Sequence, residues 1–197
     1  MIRQKFRKND KYVSAYSIGT FSGFIQLRLE GRKDHGSVRM NSTNLIAMAE
    51  RFLGALKHCQ LLQMRVFHAD AEGMTLILPW SPRIVGNPQT GAVHGGALTT
   101  LLDTTCGMAT LCALPRFEVC PTLDLRIDYM HPAEQGKDIF GHAQCYRVTR
   151  DVIFTRGSAY QDDPARPICQ VVGTFMRLGQ EVRGGIGFGS RLKEGEA

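Results

Sequence analysis

The clearest periodicity lies between residues 42 and 178. Leu45, Ile46, Ala49, Phe52, Leu53 and Leu56 form one stripe at helical spacing, with Asn41 or Ser42 available as N-cap. This predicts a helix over 42–58 with one buried face. Runs at 64–69 and 74–79 read as strands around a turn at 70–73, whereas residues 85–96, rich in Gly, Pro and Asn, read as loop. Residues 97–114 form an apolar helical segment ended by Pro115, whose ring cannot continue a helix. The period then changes to two. Leu123, Leu125, Ile127 and Tyr129 alternate with Thr122, Asp124, Arg126 and Asp128, which predicts a half-buried strand closed by Pro132. Three further strands are expected near 138–148, 152–160 and 168–178, separated by turn-prone segments at 149–151 and 162–167. The order is helix, two strands, apolar helix, four strands. It suggests an α+β fold in which an antiparallel sheet wraps a central helix.

Residues 1–41 show no dominant period and are left unassigned, and the segment 179–197, with five glycines before Ser190, reads as a mobile tail. The expected division is therefore a basic extension (1–41), one folded body (42–178) and a Gly-rich tail (179–197). Composition agrees with a single globular body, since 43% of the 197 residues are hydrophobic and 21% charged, which excludes a wholly disordered or collagen-like chain. Every apolar run is interrupted well short of the roughly 18 residues a membrane helix needs, so no integral membrane contact is expected.

Charge changes the picture in one place. The formal net charge is +6, but residues 1–41 hold nine basic and three acidic side chains, while 42–197 hold fifteen of each. The body is formally neutral, which argues against nucleic acid as its partner and leaves only the N-terminal arm suited to an anionic surface. No clean apolar stretch with a small-residue cleavage site follows the charged start, so no secretory signal is expected. Cys59, Cys106, Cys112, Cys120, Cys145 and Cys169 sit mostly among apolar neighbours without Cys-x-x-Cys pairing, which points to reduced thiols in a cytoplasmic protein. Neither histidine pairs at helical spacing nor a Cys/His cluster suggests a metal.

Candidate chemistry concentrates where the Gly-rich loop enters the apolar helix, at Val93-His94-Gly95-Gly96. Glycines at a helix start allow a ligand close to the backbone, and the unpaired amides there stabilise the negative charge of a carbonyl oxygen becoming an oxyanion. The plain alternative is that Gly95 and Gly96 only permit a tight turn. Asp103 is the second candidate, because a carboxylate among Leu101, Leu102, Met108 and Ala109 is costly unless solvated, paired or used. A structural carboxylate capping a loop is its alternative. Seven residues separate Gly96 from Asp103, about 10.5 Å along a helix axis, so the two cannot touch one carbonyl within the same chain. If they act together, a second subunit must supply one of them.

Asn87, Val-His-Gly-Gly at 93–96, Leu-x-Asp ending at Asp103, and Thr122 opening a strand that ends Tyr-Met-His-Pro-Ala at 129–133 occur in one order. Together they resemble the hotdog-fold acyl-CoA thioesterases of the phenylacetate-pathway (PaaI-like) type over roughly residues 60–178. The resemblance implies a long central helix wrapped by an antiparallel sheet, paired as a homodimer and often doubled to a homotetramer, that hydrolyses an acyl-CoA thioester between subunits. Coenzyme A is then part of the substrate, with no separate cofactor. It further implies that Asp103 is general base or nucleophile and that the Gly95 amide polarises the thioester carbonyl, with Gly96 beside it contacting substrate. Asn87 would orient the carbonyl, although one extra residue lies between it and His94. His94 would support the loop or touch substrate, and Thr122 would position water. The alternatives are a satisfied loop histidine for His94 and an ordinary strand residue for Thr122. Arg126, Arg147, Arg150 and Arg156 are candidates for the coenzyme A phosphates. Two other functions compete. A non-catalytic acyl-CoA sensor would normally lack Asp103, and a hydratase or dehydratase of this fold would normally pair a histidine motif with its carboxylate.

Overall fold

A computed structural model describes residues 42–178, together with the backbone of 5–8 and 11–14. The chain divides into two compact units, Met1–Ser37 and Val38–Ala197. In the first, β1 (Lys5–Lys8) and β2 (Lys11–Ser14) pair as an antiparallel hairpin inside the segment whose pattern gave no assignment. The expected tail from Gly179 lies outside the described residues.

The second unit opens with α1 (Ser42–Ala55), which buries Leu45, Ala49 and Leu53 from the expected stripe. Ser42 is the first helical residue, and Asn41 lies outside the described residues. The expected single helix over 42–58 is broken. Leu56 takes an extended conformation (φ −91°, ψ 99°), and a second short helix, α2 (Lys57–Leu61), follows. The break carries the chain toward β3 (Arg65–Ala69), which pairs with β4 (Met74–Leu78) across the expected turn. Asp70 caps that turn by accepting the Glu72 and Gly73 N–H groups.

The loop expected at 85–96 contains a small hairpin, β5 (Val85–Asn87) with β6 (Ala92–Val93), formed because a turn at 87–91 brings its arms together. In that turn the Asn87 carbonyl accepts the Gly91 N–H at 2.8 Å, and Gly91 takes the left-handed φ of +70° that a side chain disfavours. The central helix, α3 (Gly95–Ala113), is 19 residues long and begins two residues before its apolar pattern. Its two buried threonines are satisfied within the helix: Thr105 donates to the Leu101 carbonyl and Thr110 to the Gly107 carbonyl.

The remaining strands are β7 (Thr122–Tyr129), β8 (Ile139–Val148), β9 (Val152–Tyr160) and β10 (Cys169–Met176). The antiparallel six-stranded sheet runs in the order β3-β4-β8-β9-β10-β7 and wraps α3, as the sequence predicts. Leu101, Leu102, Cys106, Met108 and Ala109 of α3 pack against Leu76, Ile139, Ala143, Ile153 and Phe175 of the sheet. Helix and sheet meet closely at Gly141, where a Cβ would stand only 2.8 Å from the Leu101 Cγ. The β7 expectation needs correction. Leu125 and Ile127 pack on the core, but Leu123 and Tyr129 remain 51% and 54% exposed because β7 is the edge strand.

Candidate active site

Two cavities open along α3, one at each end of the stretch between Gly95 and Asp103. At the N-terminal end, His94 is the N-cap, and its Nδ1 accepts the Gly96 N–H at 2.9 Å. That bond leaves the neutral imidazole protonated on Nε2. The His94 ring thereby ties the loop to the first turn of α3, and the Gly96 amide is engaged by it. The Gly95 N–H has no partner among the described residues, while the carbonyl of its own peptide, that of His94, accepts the Ala97 N–H at 2.9 Å. Gly95 therefore presents a polarised, unspent donor at the positive end of the helix dipole.

Tyr129, which the alternating pattern put on the core face of its strand, lies instead beside this amide. Its hydroxyl donates to the Gly95 carbonyl at 3.1 Å and lies 2.9 Å from the Thr99 hydroxyl, which reaches the same carbonyl. These bonds pin the first turn of α3 to the end of β7. The cavity here measures about 640 Å³ and is walled by His94, Gly95, Tyr129, Met130 and His131 among others. The Met130 and His131 N–H groups share the Ile168 carbonyl, which holds this wall against the start of β10. The sequence signal for Tyr129 was its hydroxyl at a strand end, which its place in an apolar alternation masked.

At the other end, the Thr122 hydroxyl donates to Asp103 Oδ1 at 2.8 Å. Two residues singled out separately in the sequence thus meet within one chain. Asp103 is half-buried, and with Thr122 it lines a cavity of about 190 Å³ whose other walls include Phe52, Leu56, Met108 and Phe175. The wall formed by 118–121 is held by a bidentate pair. Arg177 donates through Nε and Nη2 to the carboxylate of Glu118 at 3.1 and 2.6 Å, and through Nη1 to the Thr149 carbonyl. The Glu118 side chain is only 9% exposed, and the hydrogen bonds it accepts, with its charge adding, raise the Arg177 guanidinium above its ordinary pKa against a small opposing effect of burial. Nearby thiols offer no competing nucleophile: burial pushes Cys106 up to about 12, with the Asp103 charge adding, and burial raises Cys120. Among the described residues the six cysteines are free thiols, and no three His, Cys, Asp or Glu side chains form a metal-binding group.

The structure does not bring Asn87 to either cavity of its own chain. It is exposed on β5, and its Oδ1 accepts the Gln89 N–H at 3.0 Å within its own turn. The candidate arginines lie on β7 (Arg126), β8 (Arg147), the β8–β9 turn (Arg150) and β9 (Arg156). Arg126 is already paired with Asp128, and Arg156 lies over the Tyr146 ring.

A sequence model of the thioesterase superfamily matches residues 90–168, which include α3, the whole lining of the Gly95 cavity and most of that beside Asp103. A Pseudomonas aeruginosa protein of known crystal structure is 66% identical, with 68% of this chain and 99% of that one aligned at a TM-score of 0.64. The chain belongs to the thioesterase superfamily. Human acyl-coenzyme A thioesterase 13 is 37% identical over 65 residues, covering 33% of this chain and 46% of that protein. The chain spans about half the length of the curated relatives it matches. The E. coli PaaI protein from the phenylacetic acid degradation operon, 15% identical, shares the hotdog fold over 71% of this chain and 97% of its own at a TM-score of 0.62. Among the described residues no helix of this superfamily member is long and apolar enough to cross a membrane.

Proposed function

We propose that this thioesterase-superfamily chain hydrolyses an acyl-CoA thioester to the free acid and coenzyme A, which enters as part of the substrate, with no separate cofactor. The observation that carries the reading is the Thr122–Asp103 hydrogen bond at the wall of a largely apolar cavity. A carboxylate in that position accepts a proton from water as the water oxygen attacks the carbonyl carbon, or attacks that carbon itself to give an anhydride that water then cleaves to the free acid, restoring the carboxylate. Thr122 orients the carboxylate and the water. The Gly95 amide meets the negative charge that develops on the carbonyl oxygen. Collapse breaks the C–S bond, and the leaving thiolate takes up the proton.

The two halves of this machinery stand eight residues apart on α3, about 12 Å along its axis, and line different cavities. One carbonyl therefore needs Gly95 of one copy and Asp103 of a second. The edge strand β7 suits such pairing: it presents an unpaired row of backbone groups, flanked by exposed Leu123, Tyr129 and Met130. A two-fold dimer across this edge brings the N-terminus of each α3 toward the other copy's Asp103. Asn87 would serve the partner's site through its remaining amide group.

The test is Asp103→Asn, which keeps the shape but can neither accept the proton nor attack. Thiol release from acyl-CoA should fall at least about 100-fold with the melting temperature unchanged, because losing a general base costs that much or more. A residual rate within about tenfold of wild type would remove Asp103 from the chemistry. Tight acyl-CoA binding without turnover in the wild type would favour the sensor instead.

A further inference from the structure

We infer that the substrate's acyl group is compact, about six to eight carbons, and that Phe52 of α1 sets this limit. The inference rests on the thioesterase reading and adds the size of the acid. The cavity beside Asp103 holds about 190 Å³. An apolar cavity of about 150 Å³ accommodates a benzene molecule, or roughly 25 Å³ per carbon, so this one accommodates about seven to eight carbons. Its polar lining is Asp103, Thr104, Thr122 and the Arg177-paired Glu118, and its apolar walls include Phe52, Leu56, Met108, Leu111 and Phe175. A thioester carbonyl at the carboxylate therefore directs its tail into this space.

The far walls resist movement. Met108 and Phe175 are each 1% exposed, within the packed core. Phe52 meets Phe117 edge-to-face, with ring centroids 6.2 Å apart and planes at 61°, and the 118–121 wall is clamped by Glu118 and Arg177. A longer chain would have to displace these groups. Phe52, Leu56 and Phe175 all lie outside the residues that match the superfamily model, so these walls are supplied by α1, the break that follows it and the last strand. Phe52 and Leu56 are both half-buried, unlike Phe175, and of these two Phe52 has the larger side chain to shorten.

The experiment measures kcat/KM for straight-chain acyl-CoAs from two to sixteen carbons in wild type, Phe52→Ala, Phe52→Leu and Phe52→Trp. In parallel, calorimetry follows binding of the same free acids. In wild type each added methylene should raise kcat/KM about fourfold up to six to eight carbons, followed by a fall. Phe52→Ala removes a benzene-sized group and should move the optimum upward by about four to six carbons, Phe52→Leu by less, and Phe52→Trp should move it down. If Phe52→Ala does not fold, opposite shifts in the leucine and tryptophan variants carry the same conclusion. A profile that is flat or still rising at sixteen carbons, or one that none of the folded Phe52 variants moves, overturns the inference. Free acids that bind with the expected length profile while no thioester is cleaved would uphold the cavity and overturn the hydrolytic reading, so the two failures are distinguishable.

Discussion

Replacing Gly95 by proline separates the fold from the chemistry at one atom. Gly95 is the first residue of α3, the helical position at which proline is favoured because its missing N–H has no intrahelical partner. The residue before a proline must be extended, and His94 already is, at φ −67° and ψ 129°. A Cβ at Gly95 meets nothing closer than the Tyr129 hydroxyl at 3.4 Å, an ordinary contact, and the lost N–H has no partner among the described residues. Folding therefore loses nothing by this change and gains about 0.4–1 kcal/mol through a less flexible unfolded chain. Catalysis loses a donor to the oxyanion, which costs about 2.7–4 kcal/mol, or 10²–10³ in kcat. The assay pairs thermal melting with thiol release from a saturating acyl-CoA. Gly95→Ala, which keeps the N–H, is the control and should retain activity within a few-fold. An unchanged kcat in a folded Gly95→Pro protein would refute the role of this amide. Loss of folding would refute the account of the helix entry.

Mixing Gly95→Pro with Asp103→Asn homodimers by refolding should restore activity. Half the dimers formed at random are mixed and each holds one intact site, so about a quarter of all sites recover. No recovery despite demonstrated subunit exchange would mean that each chain builds its site alone. Thr122→Ala should lower kcat more than it changes KM, since the hydroxyl bonds Asp103 and does not line the cavity of Gly95; unchanged kinetics would make Thr122 an ordinary strand residue. Burial lowers the His142 pKa below its usual 6.5, a shift that nearby His68 reinforces and Asp70 opposes. Below about pH 6.5 the unfolded chain binds this proton more readily than the folded one. His142 therefore costs stability progressively as pH falls until the folded-state pKa is passed, and contributes no pH dependence above 6.5. His142→Gln, followed by denaturant unfolding between pH 5 and 7.5, should flatten that slope, and an unaltered slope would exclude His142 as its source.

The order of elements was legible in the sequence because each depends on periodicity and on local breakers. The apolar stripe of α1, the long α3 ended by Pro115, and the strands β8 to β10 all needed only neighbours within about a dozen residues. Asp103 and the Gly95 region were legible for a related reason: a carboxylate in an apolar helix and glycines at its start are local anomalies. What the pattern could not decide was which strand would be an edge. The alternation in β7 is the same whether both its neighbours are present or only β10, so Leu123 and Tyr129 read as core and are exposed. For the same reason Tyr129 was missed as a partner of Gly95, thirty-four residues away, and the Leu56 break was hidden inside an uninterrupted stripe. The Asp103–Thr122 bond, the engagement of Gly96 by His94, and the closure of the acid-side cavity by Phe52 are distances between side chains whose positions are fixed only once helix and sheet have packed. Sequence determined which groups are present and which element carries each; tertiary structure decided which of them meet.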